Sequence, residues 1–487
     1  MNQSLTLPMA DKFYHDKQTS AFIRSVNVSW EKPEKDHYYL EYSYNQKDWY
    51  ALNGGFPIVL PCDELSVTDA LKTQDSNGET ISVAALSSLQ NKYGKPEPVC
   101  IQFVERCESD PETVQVTYTN GMKEIRNIIR SEDGIGHIQD NDYAAPIISH
   151  RADPYIYKHT DGKYYLGSHT DAGHNLNGTY QYLYIILRCA DTLEDLTDNS
   201  GRYTEKVIYE REPIGPDRVS PHLWAPEIHY IQGGWYVYYT TTVSDHSSWR
   251  IRPHCLACTG DDPMNDPWIT KGPIQTTVEN DIAFTDFSLD HTFFHHKGED
   301  YFVWAQKTNN ISDIFIAKLS NPWTICTPSV LLTHPEYNWE LHGFAVNEGP
   351  AVIKHGGRIF LTFSASGTDA LYNMGLLYAD EDSDLLDSSS WTKLPYPVFQ
   401  SSRATGFFGP GHNSFTRSTD DTEDLMVYHA RQEERYLGEG DYQPLYDAGR
   451  NAYIGKVFWD EDGMPNFSVP GASLAMRKED LTLPDHW

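Results

Sequence analysis

Three acidic residues recur at one place in a repeated motif. They are Asp153 in Ala152-Asp153-Pro154, Asp290 in Leu289-Asp290-His291 and Glu348 in Glu348-Gly349-Pro350. Carboxyl groups gathered in one cleft are what cleavage of a glycosidic bond requires. One, kept protonated, donates to the leaving oxygen, and another, ionised, activates water on the opposite face of the sugar. A third carboxylate beside the acid raises its pKa by like-charge repulsion. Read singly, Asp153 and Glu348 are also ordinary turn or cap residues beside proline and glycine. Their shared position in a repeat favours the chemical reading.

The elements that would position these residues follow from that repeat. From about residue 145 one theme recurs five times: an apolar or acidic turn, a short alternating strand, a Gly or Asp turn, then an aromatic strand. The copies are ADPYIYKHTDGKYYLGSHT from Ala152, APEIHYIQGGWYVYYTTT from Ala225, LDHTFFHHKGEDYFVWAQK from Leu289, EGPAVIKHGGRIFLTFSAS from Glu348 and the looser PGHNSFTRSTDDTEDLMVYHAR from Pro410. The first, third and fourth superpose without gaps, which places Asp153, Asp290 and Glu348 in one column, with Glu227 near it and His412 in the fifth copy. A period of about 60 to 75 residues suits a four-stranded blade with generous loops. The fold class expected is all-β, a five-bladed β-propeller over residues 141–487, whose first strands line a central channel where equivalent positions meet.

Residues 1–140 read differently. SVNVSWEKPEKDHYYLEYSYNQKDWYAL alternates like two strands, and VCIQFVER and TVQVTYTNGM add more, so a separate β-sandwich-like module is expected there, with Ser131 to Tyr143 as linker.

Composition agrees with many short strands: the 487 residues include 32 Tyr, 19 Phe, 12 Trp, 33 Gly and 28 Pro. A formal net charge of −31 repels phosphate backbones, which argues against nucleic acid as a partner. No run of about 18 apolar residues suggests a membrane span. The first residues, MNQSLTLPMADKFYHDKQ, lack a basic segment followed by an apolar core, and the seven cysteines are odd in number and scattered; both point to a cytoplasmic chain. Cys255 and Cys258 have metal-ligand spacing but no second pair, so they are expected as ordinary thiols. His295, His296 and His355 are expected at solvated turns.

The stretches HRADPYIYKHTDGKYYL, HLWAPEIHYIQGGWYVYYT, LDHTFFHHKGEDYFVWAQK, NEGPAVIKHGGRIFLTFSASGTD and GPGHNSFTRS resemble glycoside hydrolase family 43, most nearly its α-L-arabinofuranosidases. The resemblance covers roughly residues 145 to 470. It implies Asp153 as general base, Asp290 as the aspartate that tunes and orients the acid, and Glu348 as general acid. It further implies that His412 faces a central ion or water cluster, often calcium, that Trp224 lies near the sugar and that Arg450 reaches toward the catalytic centre. No cofactor is needed for such chemistry. The expected activity is inverting removal of terminal α-L-arabinofuranosyl residues from oligosaccharides derived from plant polysaccharides, arabinan or arabinoxylan. The alternatives are a β-xylosidase, a dual xylosidase/arabinofuranosidase, or a non-catalytic sugar-binding propeller. A retaining fructosidase would carry an Asn-Asp-Pro-Asn motif, whereas this chain reads Ala152-Asp153-Pro154. Two departures border the expected pocket: the long GSHTDAGHNLNGTYQYLYIILR stretch and the altered surroundings of Arg450, with Asn451 and Tyr453.

Overall fold

The computed structural model describes residues 99–130, 136–138, 146–169, 184–216, 218–244, 246–308, 311–394, 396–402 and 405–471, together with a few short strands before residue 82. Most of the expected N-terminal module, Cys62, and residues 170–183 of the long stretch lie outside the described residues. A four-stranded antiparallel sheet, β1 (Ile101–Arg106), β2 (Thr113–Tyr118), β3 (Lys123–Arg130) and β4 (Gly136–Ile138), precedes the repeats.

Five sheets follow, each built on an antiparallel meander in chain order. The first is β5 (Tyr155–Lys158), β6 (Tyr164–His169), β7 (Tyr184–Ala190) and β8 (Thr204–Glu210). The second is β9 (Leu223–Ile231), β10 (Gly234–Thr242), β11 (Ile251–Cys258) and β12 (Trp268–Pro273). The third is built on β13 (Ser288–His296), β14 (Glu299–Thr308), β15 (Ile311–Asn321) and β16 (Val330–Thr333). The fourth is β17 (Asn347–His355), β18 (Arg358–Ala365), β19 (Asn373–Asp380) and β20 (Thr392–Lys393). The fifth is β21 (Phe408–Arg417), β22 (Asp424–Arg431) and β23 (Asn451–Lys456).

The first strands touch in cyclic order: β5 with β9, β9 with β13, β13 with β17, β17 with β21, and β21 again with β5. The three-stranded fifth sheet gains its outer edge from upstream. Ile147 N–H donates to Ala452 O at 2.9 Å, and Ala452 N–H donates to Ile148 O at 3.0 Å. Such pairing satisfies an otherwise open strand edge. Apolar side chains between the sheets hold the ring. Tyr165, Trp235, Trp339 and Phe363 share one buried cluster. Ile156 and Leu166 of the first sheet pack with Leu425, Val427 and Ile454 of the fifth. Each large side chain so buried contributes about 1.5–3 kcal/mol.

Four of the first strands break their ladder near the start, and the residue there is left-handed: Ala225 (φ 45°), Asp290 (38°), Gly349 (55°) and His412 (45°); Asp153 (52°) takes the same conformation two residues before β5. This corrects the gapless superposition. The backbone partner of Asp153 and Asp290 in the fourth copy is Gly349, so Glu348 stands one residue earlier, and in the second copy the partner is Ala225 rather than Glu227. A left-handed non-glycine residue is disfavoured by roughly 1–2 kcal/mol, and bulges of this kind re-aim a side chain beside a site. At Gly349 a Cβ would also meet the His412 ring at 3.2 Å.

The upstream sheet packs on the end of the repeats: Val114, Val116 and Tyr118 share a cluster with Phe458. A buried ionic group joins the two regions, Arg126 pairing with Glu423, and Lys456 lying 2.7 Å from Glu124 and 2.8 Å from Glu423. Cys255 is buried, with its thiol donating to Leu256 O, and it forms no disulfide. Among the expected turn histidines, His295 is exposed but His296 is buried, its Nε2 2.7 Å from Glu381 O, because the turn folds against the neighbouring sheet.

Candidate active site

The left-handed bulges turn the start of each first strand toward the axis. A recess with about 40 Å3 of free space opens there, lined by Asp153, Trp224, Asp290, Glu348, Tyr372, His412 and Arg450 among others. The structure therefore brings together Asp153, Asp290, Glu348, Trp224, Arg450 and His412, residues up to about 300 positions apart in the chain.

Asp153 is the most cationically surrounded of the three acids. Arg450 Nη1 lies 3.6 Å from Asp153 Oδ1, and His429 Nδ1 and His412 Nδ1 lie 3.1 and 3.4 Å from it. Burial holds both imidazoles below their usual pKa, His429 at about 3, so at neutral pH Arg450 is the lasting positive charge beside this carboxyl. That setting favours an ionised Asp153.

Asp290 accepts from Gly349 N–H at 3.1 Å through Oδ2, which ties it to the strand that carries Glu348. Burial first, then the charges of Glu348 and Asp153, push its pKa well above the ordinary range. Glu348 accepts a hydrogen bond from Tyr372 Oη at 2.8 Å. Its pKa is raised to about 7, chiefly by burial; Asp153 adds to the rise, while the Tyr372 hydroxyl, Lys307 and Arg450 oppose it. Sequence reasoning assigned the rise to like-charge repulsion, whereas desolvation is the larger cause. A carboxyl poised near neutrality can donate a proton, and an ionised one across the recess can take one from water.

Several site residues carried no signal in the sequence. Tyr372 opens β19's approach in the fourth sheet, and its ring stacks on His429 with centroids 5.6 Å apart and planes 3° apart. His429 sits in the middle of β22, in the second strand of the fifth copy, and Lys307 near the end of β14; none belongs to the first-strand motif.

His412 does not fit a calcium site. Calcium takes six to eight oxygen ligands, whereas His412 offers a ring nitrogen and has the imidazole of His429 beside it, with centroids 6.4 Å apart. His412 Nδ1 points at Asp153 and, at 3.7 Å, Asp290. No group of three or more His, Cys, Asp or Glu side chains placed to hold a metal occurs among the described residues. His222 and His229 are buried, His222 against Trp224 with centroids 4.2 Å apart and His229 on Glu227 at 2.9 Å.

A family model described as "Glycosyl hydrolases family 43" matches residues 143–465. The chain is 41% identical over 354 residues to a Streptomyces avermitilis protein named "Extracellular exo-alpha-(1->5)-L-arabinofuranosidase", a match covering 71% of this chain and 68% of that protein. It is 43% identical over 332 residues to "Alpha-L-arabinofuranosidase 43" of Humicola insolens, covering 67% of this chain and 63% of the relative, less than two thirds of its length. Among solved structures, an α-L-arabinofuranosidase from Lactobacillus brevis superposes with a TM-score of 0.60 and 43% identity, covering 68% of this chain and 97% of that one. The cytoplasmic expectation is overturned by the Streptomyces relative, which is named extracellular. Scattered thiols were a poor guide to compartment, since a buried cysteine such as Cys255 serves as a small apolar side chain in any redox setting.

Proposed function

The chain belongs to glycosyl hydrolases family 43, and from that premise we propose that it is an exo-acting α-L-arabinofuranosidase releasing terminal α-L-arabinofuranosyl residues from arabinan, arabinoxylan or their oligosaccharides with inversion. The observation that carries the reading is Glu348, a half-buried carboxyl whose pKa is raised to about 7, in a recess shared with Asp153 and Asp290. All three proteins compared above are named α-L-arabinofuranosidases, and the Streptomyces one is named exo-acting.

In this reading Glu348 gives its proton to the glycosidic oxygen as the bond from C1 to that oxygen breaks. Asp153, held ionised by Arg450, takes a proton from water as the water oxygen bonds to C1 from the other face. The products are the sugar with inverted anomeric configuration and the free alcohol; Asp153 then releases its proton to solvent and Glu348 regains one. Asp290 orients the strand of Glu348 through Gly349 N–H. Trp224 forms a wall of the sugar recess. No cofactor enters. The five cyclically arranged sheets are read as the blades of one propeller over residues 141–487, and residues 1–140 as a separate module whose last sheet docks on it.

The test is hydrolysis of an aryl α-L-arabinofuranoside, with Glu348→Ala as control and proton NMR of the first-formed anomer. The expected product is the β-anomer, with loss of activity in the variant on substrates whose leaving group needs a proton. Activity untouched by Glu348→Ala, or an α-anomer formed first, would overturn the assignment.

A further inference from the structure

The backbone on either side of Glu348 is held by side chains as well as by the ladder. After Glu348 the ladder of β17 shifts register, before Ala351, and the shift carries Gly349, a residue type with wide backbone freedom. There Asp290 accepts from Gly349 N–H at 3.1 Å. Before Glu348 stands Asn347, the first residue of β17 and wholly buried. Successive side chains of a strand point to opposite faces, so the Asn347 amide turns away from Glu348 and into the protein.

Both hydrogens and the oxygen of that amide are engaged. Nδ2 donates to Glu340 Oε1 at 2.9 Å and to Val346 O at 3.0 Å. Oδ1 accepts from Thr333 Oγ1 at 2.9 Å, and Ser312 Oγ donates to the Asn347 carbonyl at 3.2 Å. Thr333 ends β16 and Ser312 lies in β15. These bonds therefore tie the start of Glu348's strand to the neighbouring sheet.

Glu340 is wholly buried, and a carboxylate taken out of water is unfavourable unless its oxygens are met. Here they are: Oε2 accepts from Glu336 N–H and Tyr337 N–H, each at 2.8 Å, and Oε1 lies 2.7 Å from Lys393 Nζ. Lys393 is buried too and donates to His334 O at 2.8 Å. Apolar residues of like volume would stabilise the fold as well as this ion pair does. What a charged clamp adds is direction: it fixes which end of the Asn347 amide faces it, and with that the orientation of the peptide that leads into Glu348. The chemical steps above use none of these groups.

We infer that Asn347, clamped by Glu340 and Thr333, is a positioning residue that aims Glu348 at the leaving oxygen. The inference rests on the proposed acid role of Glu348 and names the device that aims it.

The test measures kcat/KM on two α-L-arabinofuranosides that differ in their need for a proton. In α-1,5-linked arabinobiose the alcohol leaves poorly without one, whereas the 2,4-dinitrophenyl glycoside releases a phenolate unaided. Misplacing a reacting group by about 1 Å costs about a hundredfold. Asn347→Ala should therefore lose about tenfold to a hundredfold on arabinobiose and less than about threefold on the dinitrophenyl glycoside. Thr333→Val deletes one hydroxyl donor at nearly constant shape and should show the same bias at about threefold. Thr333→Ser restores the donor and should remove the bias. Equal losses on both substrates in Asn347→Ala would mark a merely structural role and overturn the inference, as would no loss on either. If Asn347→Ala fails to fold, Thr333→Val decides: no bias between the substrates, or a bias that persists in Thr333→Ser, overturns it. Glu348→Ala is the control. If that variant keeps full activity, or loses equally on both substrates, the acid role itself falls and the inference with it.

Discussion

Replacing Tyr372 by Phe removes one hydroxyl from a fully buried position and leaves the rest of the ring in place. The ring's stacking on His429 and its packing over Gly411 survive the change. What is lost is the 2.8 Å hydrogen bond to Glu348 Oε1. That bond favours the ionised carboxylate more than the neutral acid, since hydrogen bonds to charged groups are worth about 1.5–3 kcal/mol and those to neutral groups about 1 kcal/mol. The difference, about 1.4 kcal/mol, corresponds to about one pKa unit. Glu348 must be protonated to act, so activity falls as pH rises through its pKa of about 7. In Tyr372→Phe the alkaline limb of the kcat/KM profile should move up by about one unit, because the free enzyme's essential acid sets that limb. Activity at pH 8 relative to pH 6 should therefore rise, even though absolute kcat declines as the acid becomes less firmly aimed. The measurement is kcat/KM from pH 5 to 9 for both proteins. An alkaline limb that stays in place or moves down would refute the claim that this hydroxyl tunes Glu348.

Asp153→Asn should keep the fold and lose turnover by about a thousandfold or more, as for removal of a general base; kcat alongside thermal unfolding separates the two, and near-normal kcat would count against its role. Gly349→Ala should destabilise the protein by about 1–2 kcal/mol in denaturant unfolding, because φ is 55° and the new methyl meets the His412 ring. It should also lower kcat, since Glu348 and the donor to Asp290 sit on the same turn; unchanged stability would mean the left-handed bulge relaxes freely. Glu423→Ala leaves Arg126 and Lys456 with Glu124 as the shared acidic partner that remains and should cost about 3 kcal/mol. Its effect should be read in unfolding experiments rather than in kcat, as the cluster is remote from the recess.

The sequence made the acidic residues visible because each stands at the start of a strand whose alternation repeats down the chain. It did not reveal the backbone position each occupies. A gapless superposition slides by one residue with little penalty when the following strands alternate alike, and only the left-handed φ of Gly349 separates Glu348 from the column of Asp153 and Asp290. Tyr372, His429 and Lys307 stayed hidden for another reason. They come from second and third strands or the turns before them, where aromatic and polar residues read as ordinary sheet composition, and only the curvature of the ring aims them inward. The source of the raised Glu348 pKa was equally illegible, because desolvation depends on what covers a side chain and not on its neighbours in the chain.

The pairing of Ile148 with Ala452 has a temporal side. The two residues are separated by 304 positions, so a ribosome must deliver nearly the whole catalytic region before the last seam can be stitched. Until then the nascent chain presents a first sheet whose apolar side awaits Leu425, Val427 and Ile454. Non-local closure of this sort is slow and leaves sticky surface uncovered meanwhile. Synthesis rate and chaperone supply should therefore govern the yield of intact protein more than the stability of any single sheet does.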